Sequence, residues 1–280
     1  MQNREIEDEG GQNYCACDNL LLQVILLSTT IISVYLCVGG DGMKFVQAQF
    51  SLKYDPQVKI RRSANDIEDF LQQHYGTPQT MPIPDEIAPE APRIILYSKN
   101  GHSQINFSQI SVDFIVNFDG DFVSDFNLTK EYIQERVSLI IDLLKKIGID
   151  EYLFCGITYN ARLDIGDKKP IEYITKYLGS DVPQGDLYEA SRNIAMVKNE
   201  RFFVNQKIGT YKEFQGIPGS IPNLFEIGSV RTVSEGVSLA LDINNRYDYV
   251  YHKKKNQING CAKDIDDLFS ILIECIAGWE

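Results

Sequence analysis

The six cysteines of this chain, Cys15, Cys17, Cys37, Cys155, Cys261 and Cys275, form no Cys-x-x-Cys pair, and half of them fall in the first 40 residues. Neither zinc-ligand spacing nor a dense disulfide framework is present, so the body of the chain reads as a protein of a reducing cytoplasm. Histidine is scarce as well: His74, His102 and His252 are the whole supply, and none has a Glu or Cys at ligand spacing. There is no Gly-x-Ser-x-Gly elbow, Walker loop or dinucleotide fingerprint, and Gly216-Ile217-Pro218-Gly219 lacks the lysine and the following helix that a phosphate cradle needs. No cofactor is expected. Lys and Arg number 27 against 39 Asp and Glu, a net charge of -12, and Lys253 to Lys255 is the one basic run. Phosphate-backbone and anionic-lipid affinity both come from clustered cations, so general nucleic-acid binding is not expected.

What is present is enough for a sizeable core. The chain has 280 residues, 44% of them apolar, and a body of this length buries about 70 to 75% of the surface its unfolded chain exposes. Leu20 to Val38 carries no charge and is long enough for one membrane-spanning helix, yet it follows Glu5, Glu7, Asp8, Glu9 and Asp18, the wrong flank for a signal peptide. Residues 1–42 are therefore an amino-terminal extension with three readings: translated upstream DNA before a natural start at Met43, a single-pass anchor, or a buried helix. Membrane association depends wholly on that segment.

From Met43 the pattern is regular. Val46, Ala48, Phe50, Leu52 and Tyr54 alternate with polar residues as a half-buried strand, and a short helix with Ile67, Phe70 and Leu71 inward stops at Gly76. Thr77 to Pro92 has five prolines and reads as a surface loop. Arg93 to Ser98 and His102 to Phe107 make a hairpin around Asn100-Gly101, expected to be a type I′ turn with positive φ at both residues. Ile110 to Phe118 is a long strand. An amphipathic helix from Thr129, with Ile133, Val137, Ile140, Leu144 and Ile147 on one stripe, closes at Gly148. The order then recurs: a strand from Tyr152 to Leu163, a helix opened by Pro170, a hairpin turning at Asn199-Glu200, a Gly- and Pro-rich loop over Phe214 to Asn223, a strand over Val237 to Ile243, and a closing helix through Leu268 and Leu272 to Trp279. Residues 43–150 and 151–280 thus read as two tandem β-α-β-β-β-α units. The fold class is α+β, with about eight antiparallel-rich strands and helices on one face, in one sheet or two.

Phe45 to Leu52, the block from Pro92-Arg93 through Lys99-Asn100-Gly101 into Ile105 to Phe118, the strand Gly156 to Arg162, and Gly236 to Ile243 together resemble a sporadically distributed family of bacterial proteins of about 250 residues. The resemblance covers Met43 to the end and implies a fold without an assigned activity. Thr158 stands where that family's pattern has an arginine, so no role carries over to this position.

The remaining chemistry lies on the polar side of the strands. Asp113, Asn117, Asn160, Arg162 and Asp242 are the candidate binding residues, with Thr158 and Asn244 beside them, and matching Val112-Asp113-Phe114 with Leu241-Asp242-Ile243 puts an outward carboxylate in each half. Asp119, Asp121 and Asp125 offer carboxylates but lack the rest of a calcium loop. Tyr247, Tyr249 and Tyr251 alternate as an interaction edge or the inner side of a strand. The first expectation is a non-enzymatic binding or adaptor module that presents its sheet to a protein partner. The alternative is an enzyme for a small phosphorylated or nucleotide-like substrate, with Asp113 or Asp242 on a metal and Arg162 clamping an anion.

Overall fold

The structure is a computed structural model that describes residues 42–178, 187–215 and 231–277. The segment Leu20 to Val38, the loop beyond Gln215 and Trp279 lie outside these. In chain order the elements are β1 (Met43–Lys53), α1 (Ala64–Leu71), β2 (Gln79–Thr80), β3 (Ile94–Tyr97), β4 (Ser103–Phe107), β5 (Ser111–Asn117), α2 (Phe126–Lys146), β6 (Glu151–Tyr152), β7 (Phe154–Leu163), α3 (Pro170–Leu178), β8 (Ser191–Lys198), β9 (Phe202–Gln215), β10 (Arg231–Asn244), α4 (Tyr247–His252), β11 (Asn256–Gln257) and α5 (Cys261–Ala277). The class is α+β. One antiparallel sheet of nine strands runs in the order β2-β3-β4-β5-β1-β7-β10-β9-β8, while β6 and β11 pair apart from it. Among the described residues no helix is long and apolar enough to cross a membrane.

Strict alternation in the central strands explains the layering. From Ala48 to Leu52 on β1, Val112 to Val116 on β5, Cys155 to Leu163 on β7 and Val237 to Ile243 on β10, every second residue, such as Phe50, Phe114, Ile157 and Leu241, is buried, because a period of two sends successive side chains to opposite sides. Helices α2 and α5 cover that side. Phe126 of α2 packs 5.5 Å from Phe45, and the Tyr159 hydroxyl donates to Thr129 of α2. Asp125, just ahead of α2, accepts from the Leu128 amide at 3.0 Å and so starts the helix, and Gly148 at φ 82 ends it. Helix α5 packs on β7 and β10, and α3, with Ile174 fully buried, on β8, β9 and β10.

Three local expectations need correction. At Asn100-Gly101 only Gly101 has positive φ, and the Gly101 amide bonds to the Ser98 carbonyl; the connection from Tyr97 to Gln104 is too long for a two-residue type I′ turn. The turn with positive φ at both positions is Asn199-Glu200, at φ 54 and 50. Tyr247 to Tyr251 is a helix, not a strand. Finally, β9 and β10 stay paired as far as Gln215 and Arg231, well beyond the apolar alternation.

Four of the chain's tyrosines sit deep in the core, Tyr54, Tyr75, Tyr152 and Tyr159. Burial raises each phenol above its ordinary value of 10.0, Tyr75 to about 12 and the others further. The folded pKa is the higher one, so this stabilisation is whole below pH 10 and is lost as pH climbs through the folded values. Each group removes up to about 1.4 kcal/mol per pH unit in that window. The expected result is a cooperative alkaline unfolding above pH 10, in which the last phenolate absorbance appears together with loss of circular dichroism. Complete phenolate formation with the fold intact would contradict this burial.

Candidate functional site

The side of the sheet opposite α2 and α5 is lined by the residues that alternate with the core. Antiparallel register arranges them in rows across the strands. One row runs Asn106, Asp113, Ser51, Gly156, Asn244, Phe203. The next runs Gln104, Ile115, Gln49, Thr158, Asp242, Asn205. A third holds Asn117, Gln47, Asn160 and Ala240. Short amides, hydroxyls and carboxylates dominate, and Gln47, Gln49, Ser51, Asp113, Thr158, Asn160 and Asp242 all keep part of their surface exposed. At Gly156 a Cβ would meet the Asn244 Cβ at 2.6 Å and the Ile243 carbonyl at 2.9 Å, so only glycine lets the two central strands of this half approach so closely.

These groups hold one another. Asp113 accepts from Ser51 Oγ at 2.6 Å and Ser111 Oγ at 3.1 Å, with Lys53 Nζ at 3.8 Å. Asp242 accepts from Asn205 Nδ2 at 3.1 Å and Asn244 Nδ2 at 3.3 Å. Gln47 links the third row, donating to Asn117 Oδ1 at 2.9 Å and accepting from Asn160 Nδ2 at 3.5 Å. Asn106 Oδ1 and Asn244 Oδ1 are buried acceptors without a hydrogen-bond partner. The face is thus preorganised and rich in acceptors; Lys53 and Arg162 stand beside carboxylates, and Lys207, opposite Ala240, and Lys44, opposite Arg162, add exposed cations.

All five residues singled out from the sequence lie on this face, and Asn117 and Asn160 meet through Gln47. The others do not converge. Asp113 and Asp242 are three strands and two residues apart, roughly 16 Å at ordinary sheet spacing. Arg162 is four residues along from the row of Asp242, about 14 Å away by the same measure. It pairs with Glu213 and lies 4.8 Å over the Tyr211 ring. A metal on either aspartate would therefore sit far from this guanidinium. Among the described residues no group of three His, Cys, Asp or Glu is placed to hold a metal. Of the acidic trio before α2, Asp125 caps the helix and Asp119 lies 3.1 Å from His102 Nδ1.

No protein-family model matches the chain, and neither does any curated protein.

One feature escaped the sequence reading, and another was singled out there without its helical form. On the helix side, buried Asp264 accepts from Tyr152 Oη at 2.5 Å and Asn245 Nδ2 at 2.6 Å and pairs with Arg201. Beside it lie two buried free thiols, Cys155 and Cys261; the hydrogen bond between them and burial push the Cys155 thiol well up. The signal was a carboxylate within the inward stripe of α5, one position before Ile265. On the open face, α4 lays Tyr247, Tyr249 and Tyr251 over Phe154 and Phe203; the four-residue spacing of Tyr247 and Tyr251 is its signature.

Proposed function

We propose that the chain is a non-enzymatic binding module that receives a protein partner on the open face of its sheet, and that this face is built from two copies of one β-α-β-β-β-α unit, residues 43–150 and 151–280. The observation that carries the reading is a repeated row. Asn106, Asp113 and Ser51 stand opposite one another on β4, β5 and β1; Asn205, Asp242 and Thr158 do so on β9, β10 and β7. The strand orders β3-β4-β5-β1 and β8-β9-β10-β7 support the same duplication, with β1 and β7 adjacent at the centre. So do the helices: the fourth residue of α2, Thr129, and of α5, Asp264, each accepts a buried tyrosine hydroxyl.

A preorganised polar surface rich in acceptors recognises a partner through hydrogen bonds and shape. The partner accordingly offers donors, amides and hydroxyls, to the acceptors of the face. The reading places residues 43–280 in the cytoplasm, where free Cys155, Cys261 and Cys275 stay reduced. Site-specific photo-cross-linking of the full chain tests it. A photoreactive residue in place of Asn160 is expected to give one discrete adduct that disappears with Asp242→Ala, while the same residue in place of exposed Ser138 on α2 gives none. Equal adducts at both positions, or none at Asn160, would refute it.

A further inference from the structure

The open face is not uniform: its polar rows end in an aromatic cluster at one corner. Helix α4 lies above β10, with Tyr249 6.1 Å from Phe154 on one side and Tyr247 and Tyr251 5.7 and 6.3 Å from Phe203 on the other. Residues four apart share a helix side, so Tyr247 and Tyr251 meet with ring centroids 4.6 Å apart and planes tilted by 45°, while Tyr249 points away from them. Asn244 is covered beneath the helix and only 7% exposed.

The outer surface of this corner remains apolar. Tyr251 is 61% exposed, Val250 42%, and Val197, the register partner of Phe203 on β8, 47%. Its charge is of the opposite sign to the chain's. Arg246 lies 5.0 Å over Phe203 and Lys253 5.7 Å over Tyr249, two cations resting on rings. Lys254 adds a third, 3.9 Å from Asp248. On a chain of net charge -12, a locally cationic patch with an exposed tyrosine and two valines is complementary to an acidic segment that carries an apolar side chain.

We infer that this aromatic corner, within the partner-binding face proposed above, is the anchor site for an acidic peptide segment of a protein partner. An aromatic or aliphatic side chain packs among Val197, Phe203 and Tyr251, and flanking carboxylates pair with Arg246 and Lys253. Tyrosine and arginine are the side chains that most often dominate such contacts, because they bury much area and keep a polar end satisfied. An arginine held only by a ring is free to form a bidentate pair with a carboxylate.

The test is selection of a random dodecapeptide display library on the full chain, followed by fluorescence anisotropy of the best labelled peptide. Selected peptides are expected to combine Asp and Glu with Phe, Leu or Trp, and to bind more weakly as salt rises. Tyr251→Ser and Arg246→Glu should each weaken binding about tenfold or more, with melting temperatures near that of the parent because both side chains are exposed. Asp113→Ala with Asn160→Ala separates the two proposals. Loss through that pair alone overturns the anchor site and leaves the open-face reading standing; loss through neither set overturns both; loss through both sets supports both. Peptides without acidic enrichment, or no selected peptide at all, overturn the anchor site. So does binding of phosphatidylserine vesicles through Tyr251 and Arg246 in place of peptides.

Discussion

Arg93→Ala is expected to destabilise the fold by about 3–5 kcal/mol, the cost of removing one member of a buried, hydrogen-bonded charged network, and to lower the melting temperature by roughly 10 °C. Arg93 is wholly buried at the start of β3. Its Nη1 donates to the Ala91 carbonyl at 3.1 Å, and its Nη2 to the carbonyls of Pro84 at 3.1 Å, Ile87 at 2.6 Å and Ala88 at 3.2 Å. The proline-rich segment from Thr77 to Pro92 has no ladder of its own beyond the short β2, so side chains hold its carbonyls, Arg93 four of them and Arg61 and Gln109 others. Removing Arg93 strands the carbonyls of Ile87 and Ala91, each costing about 1–3 kcal/mol if it stays buried, while those of Pro84 and Ala88 keep the amides of Ile87 and Ala91. Loss of the segment's order limits the total, because the loop escapes into water instead. Limited proteolysis should therefore cut the variant between residues 80 and 92 while the parent resists. Arg61→Ala is the milder control: its guanidinium reaches the Met81 carbonyl at 2.9 Å and Asp85 but is partly exposed. A melting temperature unchanged in Arg93→Ala would contradict this account of the loop.

The second large effect belongs to Asp264→Ala, expected to cost about 3–5 kcal/mol by denaturant unfolding. Three donors converge on this buried carboxylate, from Tyr152, Asn245 and Arg201. They come from β6, from the residue after β10 and from the turn before β9. Asn245 in turn accepts from the Cys155 amide at 2.8 Å, so the network ties α5 to the central strand β7. Truncation leaves a phenol and an amide unpaired in the core, while Arg201 keeps Asp267 at 3.2 Å. Asp264→Asn retains an acceptor oxygen and should cost less than half as much. A change below about 1 kcal/mol in Asp264→Ala would show that water replaces the carboxylate.

Which parts of this were legible in the sequence follows from the range of each interaction. Alternation at Ile157, Tyr159 and Ala161 and the stripe Ile133, Val137, Ile140 are local patterns, and the structure buries all six. Register is not local. That Asp113 faces Asn106 and Ser51, or that Asn117 and Asn160 meet through Gln47, depends on which strands become neighbours, and no period within one strand encodes it. Tyr247, Tyr249 and Tyr251 misled for the opposite reason. A period of two fits a strand, but here the rings serve a short helix whose two sides reach Phe154 and Phe203. Arg93 gave no signal at all, since an arginine before an apolar strand is ordinarily a solvated edge residue.

The claim on which the functional account stands is that the polar rows of the sheet bind a partner and do not merely face water. Calorimetric titration of the cross-linked partner, once purified, onto the full chain and onto the triple variant Asp113→Ala, Asn160→Ala, Asp242→Ala tests it most directly. The account predicts a dissociation constant at least about tenfold weaker for the variant, as expected when contacts at the centre of an interface are truncated, with both proteins equally folded by circular dichroism. An unchanged dissociation constant in a folded variant would contradict it.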